Sequence, residues 1–156
     1  VSDRWLGIKA TSNGIVIVGI AFTEANPEVF LDKTWDLLDG PRPEAYNFMY
    51  KRLQNYLQEN NINRVVVQGA LGIVSKRILP FLEASELRGV VLSCIAHVGI
   101  PCTQIAKNKM SQMYGERDIA TYVSDDDYWE NLHLPVKKTR REVAMLILTE
   151  RQRNVI

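Results

Sequence analysis

Residues 5–20 read Trp5-Leu6-Gly7-Ile8-Lys9-Ala10-Thr11-Ser12-Asn13-Gly14-Ile15-Val16-Ile17-Val18-Gly19-Ile20. Two β-branched, apolar runs flank a short polar interruption. Ser12-Asn13-Gly14 marks the turn, and Asn-Gly suits the positive φ angles of a tight hairpin connection. The stretch is therefore predicted to be an antiparallel β-hairpin. Residues 30–38, Phe-Leu-Asp-Lys-Thr-Trp-Asp-Leu-Leu, supply a third strand before Asp39-Gly40-Pro41-Arg42-Pro43 breaks the chain.

Downstream the pattern changes period. Tyr46, Met49, Tyr50, Leu53 and Leu57 recur at helical spacing, with Lys51, Arg52, Gln54, Gln58 and Glu59 mostly opposite, and Asn60-Asn61 ends the helix. Tyr46, Phe48 and Tyr50 read as core packing rather than as a base-stacking platform. Arg64-Val65-Val66-Val67-Gln68-Gly69 is a β-branched run expected to be buried on both faces, as parallel strands are. A helix is expected over Ser75–His97, started or kinked by Pro80 and stopped by Gly99. Ile100–Ile105 is a further strand and Lys107–Tyr114 a short helix. Residues 115–136 read as irregular, with one turn near Tyr128-Trp129-Glu130. Lys138–Gln152 reads as a final helix, with Thr139 and Glu142 spaced as a capping box. A hairpin sheet extended by strands joined through helical crossovers is a mixed α/β sheet.

Bulk properties narrow the function. The 156 residues suit one domain over 1–156, and 19 Lys plus Arg against 18 Asp plus Glu imply no whole-surface attraction to nucleic acid or membrane. No apolar run reaches membrane-spanning length and no leader precedes the first strand, so a cytoplasmic protein with no membrane partner is expected. Cys94 and Cys102 have no zinc-ligand spacing and are expected to be buried, reduced thiols. His97, at an apolar helix end, reads as a core or capping histidine. Neither it nor His133 has the partner pattern of a hydrolytic triad. Gly69-Ala70-Leu71-Gly72 lacks dinucleotide or phosphate-loop spacing and reads as a loop over the sheet end. Asp125-Asp126-Asp127 reads as an N-cap for the turn holding Tyr128 rather than as a cation cage.

The order of elements resembles the ribonuclease H-like superfamily, and within it the RuvC-type Holliday-junction resolvases, over roughly residues 5–150. Gly7-Ile8-Lys9-Ala10-Thr11 stands where those resolvases open with a Gly-aliphatic-Asp-Pro-Gly run. Val65-Val66-Val67-Gln68 stands where their next strand ends in Glu. Thr139 and Glu142, before Val143–Leu148, stand where their last helix carries two acids three residues apart. The resemblance thus implies a three-layer ribonuclease H-like fold with a five-stranded mixed sheet, and it implies a homodimer. Of four acidic places only Glu142 carries an acid, the others being Lys9, Gln68 and Thr139. Two-metal hydrolysis clamps ions about 3.5–4 Å apart between several carboxylates, so a catalytically degenerate domain with no metal and no cofactor is expected.

Lys9 admits two readings, an anchor for a phosphate or an ion pair with Glu142 at a strand edge. Gln68 either reads a base edge or phosphate or satisfies nearby backbone groups. The segment 137–153 sets six basic residues against Glu142 and Glu150. Lys138, Arg140 and Arg141, with Lys9, Lys107 and Lys109, form the candidate surface for DNA or RNA, against a solvated helix face as the plain reading. The sequence supports a nucleic-acid-binding or scaffold module over an enzyme. The alternatives are a divergent nuclease dependent on magnesium or manganese and a protein-interaction subunit of a larger assembly.

Overall fold

Three consecutive valines explain how the sheet is anchored. Val65, Val66 and Val67 lie in strand β4 (Arg64–Gln68) and are all fully buried. Successive side chains of a strand point to opposite faces, so Val65 and Val67 enter one core and Val66 the other. Each such side chain contributes roughly 1.5–3 kcal/mol through burial. That fixes β4 as an interior strand of the sheet, in a computed structural model that describes residues 2–70 and 78–154.

On one side of β4 lies β1 (Asp3–Ala10), parallel to it, followed by β2 (Gly14–Phe22) and β3 (Glu28–Asp36), both antiparallel to their neighbours. On the other side lies β5 (Cys102–Ile105), parallel to β4. The order is β3-β2-β1-β4-β5, the expected mixed five-stranded sheet.

One face is covered by α1 (Arg42–Glu59) and α2 (Ile78–Val98), which pack against Leu6, Ile8, Ile17, Val65 and Val67. Pro43 occupies the first turn of α1, and Asn61 (φ +52°) turns the chain beyond it. Pro80 is the third residue described in α2, and Gly99 (φ +85°) stops that helix. The other face is covered by α3 (Lys107–Met113), α4 (Ile119–Ser124), α5 (Asp126–Asn131) and α6 (Arg141–Arg153), which bury Val18, Ile20 and Val66. Among the described residues no helix is long and apolar enough to cross a membrane. The expected helical start at Ser75 and the Leu71-Gly72 half of the glycine loop lie outside the described residues.

Several local expectations are corrected. Asn13 and Gly14 do not adopt positive φ. The turn closes instead by a hydrogen bond from the Thr11 N–H to the Gly14 carbonyl (2.8 Å), and the Thr11 hydroxyl donates to the same oxygen (3.1 Å). Glycine is needed at 14 because β3 passes so close that a Cβ would collide with the Trp35 carbonyl oxygen.

Residues 115–136, expected to be irregular, hold α4 and α5, each only six residues long and thus too short to show a period. Asp125 does cap α5, accepting from the Tyr128 N–H at 3.1 Å. The capping box at the last helix does not form. Lys138–Arg140 make a 3-10 turn, α6 starts after it, and Glu142 turns to lysines instead. Cys94 is buried but Cys102 is exposed at the start of edge strand β5. His97 is exposed, with its ring 6.3 Å from that of Tyr50, and Phe48 faces solvent rather than the core.

Candidate functional site

Gly7 sets the geometry of the site. Its missing side chain lets α6 lie directly on β1, where a Cβ would stand 2.6 Å from the Val143 carbonyl oxygen. Two residues on, Lys9 points to the same face, beneath the first turn of α6. There the Lys9 Nζ lies 2.9 Å from Glu142 Oε2. Lys107, the first residue of α3, reaches the other oxygen from the end of β5, with Nζ 2.9 Å from Glu142 Oε1. One carboxylate therefore bridges two ammonium groups. Its side chain is 19% exposed, against 38% for Lys9 and 48% for Lys107. Burial pushes the Glu142 pKa up, but the hydrogen bonds and charges of Lys107 and Lys9 outweigh it, and the net shift is downward.

Gln68 ends β4 next to this group, in register one residue beyond the Ile8–Val67 pairing. It is buried, and its Oε1 has no hydrogen-bond partner among the described residues. With Lys9, Gly69, Phe81 and Arg88 it lines a cavity of about 60 Å3, room enough for water. Thr139 is exposed in the 3-10 turn before α6. The sheet thus brings Lys9, Gln68 and Glu142 together, and Lys107 joins them.

This donor set does not fit a pair of divalent ions. Magnesium and manganese want several oxygen ligands, and the centre offers one carboxylate, already shared between two ammonium groups. A divalent ion about 4 Å from an ammonium is repelled by roughly 8 kcal/mol at an effective dielectric constant near 20. Glu142 offsets one such repulsion and leaves the other. Acids elsewhere are engaged too: Asp3 pairs with Arg151 and Asp32 with Arg140. Among the described residues no three His, Cys, Asp or Glu side chains cluster as metal ligands.

No family model matches the chain, and no curated protein matches it. Solved structures do. Thermus thermophilus RuvC in complex with a Holliday junction substrate superposes with a TM-score of 0.72 at 16% identity, covering 94% of this chain and 91% of that one. A second Thermus thermophilus RuvC structure gives 0.72 at 12% identity, covering 97% and 96%. The fold is RuvC-like. The yeast mitochondrial Holliday junction resolvase agrees, with a TM-score of 0.59 at 8% identity over 98% of this chain and 82% of that one.

On this RuvC-like frame the basic residues divide into two groups. Arg140 pairs with Asp32, which also accepts the Lys137 backbone N–H at 2.8 Å. Arg141 donates to Asp126 Oδ1 (2.6 Å) and to the Val123 carbonyl (3.0 Å), and its guanidinium lies 5.6 Å from the Trp129 ring centre. That hydrogen bond, with the charges of Lys138 and Arg141, holds the Asp126 carboxyl below its ordinary range. These two arginines fasten the start of α6 to the RuvC-like sheet and to α5. Lys109 and Lys138 are exposed, and Lys138 lies 4.0 Å from Asp126.

Sequence reasoning missed Lys107 as a second partner of Glu142, and missed Arg88 and Phe81 beside Lys9. The first is signalled by Lys107 following β5 after a single residue, Ala106. Nothing in the sequence signals the other two.

Proposed function

We propose that this chain is a RuvC-like module that has exchanged metal-dependent cleavage for metal-free recognition of nucleic acid. It acts as one domain, without a cofactor, in the cytoplasm. The observation that carries this reading is the bridging of Glu142 by Lys9 and Lys107 at 2.9 Å each. Lys9 stands where the resemblance puts a metal-binding acid and Lys107 adds a second cation beside it, so the centre attracts anions. Similarity to a RuvC solved with a Holliday junction substrate makes DNA or RNA the ligand class to test.

The test is a calorimetric titration with magnesium and with manganese. Branched and single-stranded DNA and RNA are then offered with each metal. The expected result is no metal uptake, no cleavage, and binding that weakens with salt, because phosphate contacts release counterions. Tight metal uptake with cleavage that vanishes in Glu142→Ala would establish the divergent nuclease instead.

A homodimer belongs to the same reading, and α2 favours it. Ile78, Leu79 and Leu82 are 67%, 66% and 51% exposed, and Gly89, Ser93 and Ala96 continue an outward face on which Glu86 is the one charge. Large aliphatic side chains exposed together on one helix face favour a covering partner.

A further inference from the structure

We propose that Lys9 and Lys107 form a fixed pair of cations that grips a single phosphodiester of the nucleic-acid backbone, with an affinity indifferent to divalent metal. This inference rests on the nucleic-acid reading above and assigns the contact within it.

The number of donors is the first support. An ammonium has three N–H groups, and each lysine gives one to a different oxygen of Glu142. Two remain on each side chain, enough for the two non-bridging oxygens of a phosphodiester. Both ammonium groups are partly exposed, so a backbone can reach them.

The charge is the second support. A purely structural ion pair needs one lysine for one carboxylate. Here the second leaves a net positive charge, and Arg88 lines the cavity beside Lys9, bonded among the described residues only to the Ser85 hydroxyl at a long 3.3 Å.

Place is the third support. Lys9 lies at the carboxyl end of β1, and Lys107 just beyond that of β5. These are parallel to β4, and ligands of α/β sheets collect at that end. Glu142 acts as a positioning residue that holds the two cations apart and aimed, so neither must be ordered when the ligand arrives. The open Gln68 Oε1 is an acceptor and repels a phosphate oxygen, so its part is to hold water or a ligand hydroxyl.

The experiment measures equilibrium binding of the whole chain to branched and single-stranded DNA and RNA across a salt series, with EDTA and with magnesium. The variants are Lys9→Gln, Lys107→Gln and, as a control away from the site, Lys51→Gln at an exposed position of α1. Lys9→Arg and Lys107→Arg keep the charge and separate its loss from any loss of packing. The expected result is equal affinity with EDTA and magnesium. Each Gln variant at 9 or 107 should flatten the logarithmic salt slope by about one, with the Arg variants keeping it. Binding that needs magnesium would overturn the proposal. Salt slopes unchanged in both Lys9→Gln and Lys107→Gln would overturn it while leaving nucleic-acid binding intact. No binding to any of the nucleic acids would remove both the proposal and the reading beneath it.

Discussion

Glu142 answers to two lysines, and its titration reports on both. Its folded pKa lies below the ordinary 4.5 although burial pushes the other way, because Lys107 and Lys9 hydrogen-bond to the ionised form. A depressed carboxyl pKa stabilises the fold fully above the unfolded value, and that contribution is lost as pH falls through the folded value. Lys9→Met with Lys107→Met is therefore expected to raise the Glu142 carboxyl pKa, read by NMR titration. It should also lower the melting temperature at neutral pH, by an amount that shrinks as pH drops below about 4. A melting difference that persists undiminished in acid would show that the lysines matter through packing instead. The converse change, Lys9→Asp with Gln68→Glu, leaves three carboxylates around one lysine. Calorimetry is expected to find manganese uptake there that the unaltered chain lacks, and no uptake would mean the backbone frame no longer suits a metal. Lys9, Gln68 and Glu142 were legible in the sequence because each ends or begins an element with a strong pattern. The Lys9–Glu142 ion pair was one of the two readings of Lys9, but the second partner was not legible, since only the fold brings Lys107 to the same carboxylate.

At the scale of elements, the seat of α6 on β1 depends on the absence of a side chain at Gly7. Gly7→Ala drives a Cβ against backbone, the Val143 carbonyl oxygen, which cannot swing away. A loss of about 1–3 kcal/mol in denaturant unfolding is expected, the usual cost of overpacking. Gly19→Ala meets the Phe30 ring and a Leu6 methyl instead, at 2.5 Å and 3.0 Å. Side chains can move, so its cost should be smaller, and a reversed ranking would place the tight contact elsewhere. The strands and α1 were readable because periods of 2 and 3.6 persist over many residues. The helices α4 and α5 were not, because Ile119, Tyr122 and Trp129 are core residues spread over two pieces of six residues. The hairpin was readable, but for a different physical reason than its Asn-Gly suggests: the close approach of β3 dictates the glycine, not a left-handed turn.

For the molecule as a whole, the order of strands and crossovers was legible, whereas the elements that cover each face were not. That depends on which of the described helices pack against which alternate side chains. The outward face of α2 follows from the whole arrangement, since α1 and the sheet consume its other side. Leu79→Glu with Leu82→Lys is expected to shift the chain from dimer to monomer in analytical ultracentrifugation without lowering its helix content. A monomer before any substitution would rule the dimer out. The division of the core by chain order has a kinetic meaning as well. Leu6, Ile8, Ile17, Val65 and Val67 can be covered once residues up to Val98 are available, but Val18, Ile20 and Val66 wait for segments beyond Lys107. The Lys9–Glu142 contact closes a separation of 133 residues. Such distant closures are slow, so a chain emerging from the ribosome carries a half-dressed sheet until its final helix arrives. During that interval the bare face, rather than the finished surface, is what chaperones and aggregation partners encounter.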